Sequence, residues 1–449
     1  MPTIIETADA IASQRTTAQA MIESAQRQAA RAADLNPIAW VDWPAALDEA
    51  RRLDAEAKAG RRRGPLHGVA VSVKDLFAVR GMPTLAGTRA PLPPLGRDEA
   101  EAVSRLRAAG ALVFAKTNMH EIALGATGEN RWTGDVKNPF DPQRQSGGSS
   151  SGAAVAVATG IGAAGLGSDT GGSVRIPAAF CGVTGYKPSF GAIPLDGALY
   201  LSWTCDHAGA LARCVDDCAA LFEVMARRRV AHGAVGRRPR LAVPAPWLAG
   251  RLQPAVRERF ARVLATLAKE QAEISEVVAP ELALAWQCYT PIVRAEAAWV
   301  HRAALTVGGP GFSDLVLPAL QAGRALPAAD YIDALKARDR ACAGLDALLA
   351  GVDAMILPTS AVLPPLRGQA EIEVDGGRIT VREAVLGQTL PFSLCGLPAL
   401  SLPVGLVEGL PVGLQVVGRR GADAALLALG RWLEATVGVA TMPPEDDGD

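Results

Sequence analysis

Histidine is scarce here: five residues in a chain of 449. None lies near the serines discussed below, so the usual base for a serine nucleophile is missing from the local sequence. Net charge is also nearly absent, at -1. That gives no electrostatic case for binding nucleic acid or an acidic surface. The seven cysteines are odd in number and irregular in spacing, which suggests a reducing compartment rather than a disulfide framework. Cys214 and Cys218 have no second ligand pair at metal spacing and read as core residues. The N-terminus lacks the apolar core of a signal peptide and reads instead as an amphipathic helix. The expectation is a cytoplasmic protein, without membrane or nucleic-acid partners.

One further absence is local. No charged residue occurs between Arg144 and Asp169, a stretch made mostly of Gly, Ser and Ala. Small residues at this density let backbone approach backbone. A flexible linker does not fit, because Ala153 to Ala158 is apolar and helix-forming. A membrane span needs bulkier residues without glycine interruptions. No phosphate-binding G-x-x-x-x-G-K-[ST] is present. Gly148 to Gly152 matches G-x-S-x-G, but the preceding Asn138 to Arg144 is a polar, turn-rich loop and not the strand that motif requires. A buried element remains, with Gly147-Gly148-Ser149 at one end and Gly171-Gly172-Ser173 at the other.

The second turn follows an apolar run ending at Leu166, read as a strand. The N–H groups of Thr170, Gly171, Gly172 and Ser173 could converge on one point, which is the geometry of an oxyanion hole. A base is available upstream. Val69 to Asp75 is a strand-like apolar run that contains Lys74. Burial would lower the pKa of such an amine to about 8. Taken alone, the pattern also describes a strand-end lysine pointing into solvent.

Together, HGVAVSVKD, GGSSSG and GSDTGGSVRIPAAFCGVTGYKPS resemble the amidase signature family. Ser149 lies 75 residues after Lys74, and Ser173 another 24. The resemblance implies a Ser–Ser–Lys triad. Ser173 matches the nucleophile, Ser149 the serine that follows a cis peptide bond and relays the proton, and Lys74 the base. The oxyanion donors would be Thr170, Gly171, Gly172 and Ser173, with Asp169 and Arg175 bracing the loop. Ala123, Leu124 and Ile176 fall where the family lines its substrate pocket. Neither a metal nor another cofactor is implied, and a homodimer is a family-level expectation. Ser151, Ala153 and Ser168 depart from the family pattern without removing a catalytic group.

The expected fold is α/β: one domain over residues 1–449, with a central mixed sheet covered by helices on both faces. Residues 1–60 read as helical, 61–226 as the signature core, 227–350 as a variable helical cap and 351–449 as a return to the core. Thr117 to Glu121 should open a helix. Arg227 to Arg240 reads as an exposed linker, and Pro443 to Asp449 as a disordered acidic tail. Glu371 to Arg382 reads as a hairpin around Asp375-Gly376-Gly377, standing over the site entrance. His120 reads as structural or surface, and His207 as the best alternative base. Among Trp286, Tyr289, Trp299 and Phe312, at least half should be core.

The expected reaction is hydrolysis of a small amide or carbamate through an acyl-enzyme. The apolar Ile176 and Leu124 favour neutral or aryl substrates. A hydrolase of biuret-type or carboxylated amides working with a helper subunit is an alternative. So is the A subunit of a glutamyl-tRNA amidotransferase.

Overall fold

The computed structural model describes residues 3–230, 238–439, 441 and 443. Residues 231–237 of the basic stretch and 444–449 of the acidic tail lie outside the described residues.

The strands are β1 (Ile38–Val41), β2 (Ala70–Lys74), β3 (Leu112–Thr117), β4 (Ala164–Asp169), β5 (Thr184–Lys187), β6 (His207–Ala212), β7 (Arg240–Val243), β8 (Glu273–Glu276), β9 (Ala354–Pro358), β10 (Glu371–Val374), β11 (Gly377–Thr380), β12 (Ala399–Val407) and β13 (Leu410–Val417). Eleven form one sheet in the order β1-β3-β2-β4-β6-β5-β12-β13-β9-β7-β8, and β10 and β11 pair separately. The sheet is mixed: β2 runs parallel to β3 and β4, whereas β6 runs antiparallel to both of its neighbours. Helices flank it. Strands β2, β3, β4 and β6 are buried along their whole length, as strands covered on both faces must be. Among the described residues, no helix is long and apolar enough to cross a membrane.

The N-terminal 60 residues are less uniformly helical than expected. Helices Ile4–Ala12 and Ala18–Arg31 are separate, because Thr17 caps the second by accepting from the Ala20 N–H at 3.0 Å. Strand β1 then joins the edge of the sheet antiparallel to β3 before helix Trp43–Lys58 begins. In the 227–350 segment, β7 and β8 extend the opposite edge of the sheet.

Small residues have a visible purpose in helix Ser151–Ala158. Ser151 to Val157 are all buried. A Cβ on Gly152 would lie 2.3 Å from the Pro37 carbonyl oxygen and 2.5 Å from that of Asn118. On the β4 side, a Cβ on Gly165 would meet the Ala153 methyl at 3.0 Å. The helix therefore packs at backbone distance between the chain before β1 and strand β4. Larger side chains would force it outward.

Candidate active site

Strands β2 and β4 are parallel neighbours, so their carboxyl ends share one edge of the sheet. Lys74 closes β2 and Asp169 closes β4. Sites in open α/β sheets form outside such carboxyl ends.

Lys74 is fully buried. Its Nζ lies 2.7 Å from Ser149 Oγ, 3.0 Å from Ser150 Oγ and 2.9 Å from Ser168 Oγ. Burial lowers its pKa to about 7, although the charges of Asp169 and Asp206 act in the opposite direction. The reading of a solvent-facing lysine is thereby excluded. Ser150 Oγ also donates to the Ser168 carbonyl at 3.0 Å, so its own proton is committed and it must accept from the amine.

The two glycine-rich turns meet. The Ser150 N–H donates to the Ser173 carbonyl at 3.1 Å, and the Gly148–Ser149 peptide is cis. Asp169 organises the second turn. Its Oδ1 accepts from the Gly172 N–H at 2.8 Å, and its Oδ2 from the Val174 N–H at 3.1 Å. Arg175 grips the same carboxylate with Nε at 3.0 Å and Nη2 at 2.9 Å. The other Arg175 donors go to the Thr389 carbonyl, Gln415 Oε1 and Ser393 Oγ at 3.0, 2.5 and 2.6 Å. All five guanidinium N–H groups are therefore used. Burial would raise the Asp169 pKa, but Arg175 overrides it and holds the carboxyl well below the usual carboxylate range.

The hydrogen bond to Asp169 corrects one sequence expectation. Gly172 is not free to act as an oxyanion donor, because its N–H is committed to bracing the turn. The N–H groups of Thr170, Gly171 and Ser173 make no hydrogen bond among the described residues. Thr170 is anchored through its side chain, whose Oγ1 donates to Asp206 Oδ1 at 2.6 Å. Gly171 is anchored by its carbonyl, which accepts from Thr389 Oγ1 at 2.7 Å.

A cavity of about 380 Å³ opens beside this turn, with Thr170, Gly171 and Ser173 on its wall. Ala123 and Leu124 line it too. They do so from an irregular turn rather than the expected helix: Ile122 and Ala123 take left-handed φ values of 44° and 62°. Ile176 does not line the cavity. It lies in helix Arg175–Phe180, fully buried, and its Cδ1 packs beneath Gly172. Its apolar character therefore reflects support of the turn and carries no information about substrate charge.

His120, expected away from substrate, lines the cavity beside Thr127. Burial, with a smaller contribution from the Lys74 charge, holds its pKa down to about 4. His207 is not among the residues that line the cavity. Its Nδ1 lies 2.7 Å from the Cys205 carbonyl and its ring packs edge-on to Phe190. Burial keeps it neutral. The hairpin forms as expected, and Gln369, Ala370, Thr380 and Arg382 around it line the cavity. Tyr289 and Phe312 are buried, Trp286 is half-buried and Trp299 is exposed.

Sequence reasoning misses Ser150 and Ser168 as partners of Lys74, although Ser168 is visible as a departure from the family pattern. It misses Thr389, Ser393 and Gln415 altogether. They reach the site from more than 200 positions away and leave no local signal.

The Amidase family profile matches residues 20–427. A crystal structure described as an amidase superposes with a TM-score of 0.95 at 51% identity, covering 97% of this chain and all of that one. The A subunit of the glutamyl-tRNA(Gln) amidotransferase of Symbiobacterium thermophilum is 35% identical, covering 85% of this chain and 86% of its own length. Indoleacetamide hydrolase of Allorhizobium ampelinum is 32% identical, with 97% of each chain covered. The chain belongs to the amidase signature family, whose enzymes hydrolyse amide C–N bonds.

Proposed function

We propose that the chain hydrolyses small amides by acyl transfer through Ser173, with Ser149 and Lys74 as its proton relay. The observation that carries this reading is the 2.7 Å contact between a buried Lys74 Nζ and Ser149 Oγ, next to the cavity that holds Ser173. Neutral Lys74 has two N–H groups and one lone pair. The N–H groups go to Ser150 and Ser168, which leaves the lone pair for the Ser149 proton. Ser149 in turn accepts the proton of Ser173 as Ser173 Oγ attacks the carbonyl carbon.

The developing oxyanion is held by the N–H groups of Thr170, Gly171 and Ser173. As the tetrahedral intermediate collapses, the C–N bond breaks and the proton returns through Ser149 to the leaving nitrogen. Water then attacks the ester carbonyl, gives a proton to the relay and releases the acid, and Ser173 regains its proton. A carbamate carbonyl can follow the same path, which would make the chain a urethanase.

For substrate we propose an amide with an apolar or aryl part. Support comes from the apolar wall of Leu124, Val293, Leu315 and Leu386. A relative named for indoleacetamide, an aryl-bearing amide, points the same way. The site chemistry calls for neither metal nor cofactor. Seven cysteines that form no disulfide suit a reducing compartment, and we place the protein in the cytoplasm.

The test is amine release from an aryl acetanilide and an aryl carbamate by the isolated chain, beside Ser173→Ala. Turnover lost in the variant supports a stand-alone amidase. A folded chain that releases no amine from either overturns the aryl reading and favours a protein that acts as one subunit of a larger enzyme, as the name of the amidotransferase A-subunit relatives suggests.

A further inference from the structure

Two cations share the cavity with the apolar wall. Arg294 lies on helix Glu281–Val300, and Arg382 in the first turn after the hairpin. Arg382 Nη2 donates to Thr290 Oγ1 at 2.8 Å, and its guanidinium lies 5.2 Å from the ring centre of Trp286. Trp286, Thr290 and Arg294 are spaced four residues apart and so present one face of their helix. Thr290 and the Trp286 ring thereby fix the position of the Arg382 guanidinium.

Neither arginine pairs with a carboxylate among the described residues. Both side chains are exposed at the cavity; desolvation where the Arg382 head packs on the protein, together with the Arg294 charge, lowers its pKa against an opposing effect of Tyr289. Among the described lining residues, Glu129 is the one carboxylate, and it accepts the Gly368 N–H at 3.0 Å. Two like charges facing one cavity repel each other, and an anion between them removes that repulsion. Guanidinium groups match a carboxylate in shape as well as charge.

Position fixes what the anion is attached to. A Cβ on Gly171 would lie 2.4 Å from Tyr289 Oη, so the same helix touches the turn that carries Ser173. Arg294 follows Tyr289 by five residues, about 7.5 Å along the axis. Val293, Leu315 and Leu386 line the same cavity.

We propose that Arg294 and Arg382 form an anion subsite that takes a carboxylate borne by the amide substrate, separated from the scissile carbonyl by an apolar spacer. This rests on the hydrolase reading above and narrows its substrate class to monoanionic amides with an aryl or alkyl middle.

The probes are 4-carboxybenzamide and its neutral counterpart 4-methylbenzamide. Binding is measured by calorimetry on the full-length Ser173→Ala protein, so that no turnover intervenes. The carboxylate is expected to bind at least about tenfold more tightly. In Arg294→Gln/Arg382→Gln the two affinities should come within about twofold. Arg294→Gln alone changes an exposed side chain and should lower the preference even if the double variant folds poorly. Equal affinities in the Ser173→Ala protein, or a preference that survives both substitutions, overturn the subsite.

Turnover by the unsubstituted chain is read separately. Ser173-dependent hydrolysis with equal binding of the two probes removes the subsite and leaves the hydrolase standing. Preferential binding of the carboxylate without hydrolysis of either probe does the reverse.

Discussion

Gly172 and Thr389 meet so closely that a methyl group on the glycine would lie 2.2 Å from Thr389 Oγ1. Thr389 uses that same oxygen to hold the Gly171 carbonyl. Gly172 also has a φ of 134°, which L side chains rarely adopt. Gly172→Ala should therefore push Thr389 away and turn the Gly171 N–H off the oxyanion. The expected result is a loss in kcat of roughly a hundredfold with little change in KM. Steady-state kinetics check it; an effect on KM alone would point to substrate binding instead.

The pH profile should report Lys74. The relay needs the neutral amine, and its pKa is lowered to about 7. Below that value the amine is protonated and cannot accept from Ser149. kcat/KM should rise about tenfold per pH unit below pH 7 and level off above it. A flat profile between about pH 5 and 9 would count against Lys74 as the base.

Ser168 offers a finer test. Its hydroxyl accepts from Lys74, and an acceptor favours the charged ammonium over the neutral amine. Ser168→Ala should shift the acidic limb to lower pH while activity on the plateau persists. A limb that moves upward would mean that the hydroxyl acts as a donor instead.

Asp169 and Arg175 are both fully buried, and each is the other's charge partner. Removing one leaves the other uncompensated. Arg175→Met should destabilise the protein by about 3–5 kcal/mol, measured by urea unfolding. The loss should be larger than for any substitution of the exposed Arg51–Asp48 pair, where about 0.5 kcal/mol is expected.

Gly152→Val tests the packing of the small-residue helix. Its new side chain would run into the Pro37 and Asn118 carbonyls. A loss of about 3 kcal/mol or more is expected from overpacking, seen as a lower Tm. An unchanged Tm would show that the helix can move outward freely.

Some of this is open to reading in the chain. The Lys74 strand and the two Gly-Gly-Ser turns lie in contiguous motifs, so the family resemblance locates them where the local pattern of Lys74 alone leaves a solvent-facing lysine open. What the sequence conceals is contact between distant segments. The acceptors around Arg175 come from residues 389, 393 and 415. Ile176 differs from a pocket residue only in which way its helix faces, and that is set by the turn above it. Ile122 is β-branched and left-handed, a conformation imposed by its surroundings against its own preference, so the expected helix after Thr117 could not be corrected from sequence. Strand β1 is short and only partly buried, which leaves little apolar alternation to mark it.

The brace of Arg175 has a consequence for the order in which the protein is made. Lys74, Ser149 and Ser173 are complete well before half of the chain has been synthesised. The groups that take three of the five Arg175 N–H bonds are translated only in the last quarter. A nascent chain released early thus carries the three proposed reacting side chains and the Asp169–Arg175 pair, but lacks the other acceptors of Arg175. The supports of the turn, two around helix Leu390–Leu394 and one on β13, thus follow it in the chain by more than 200 residues.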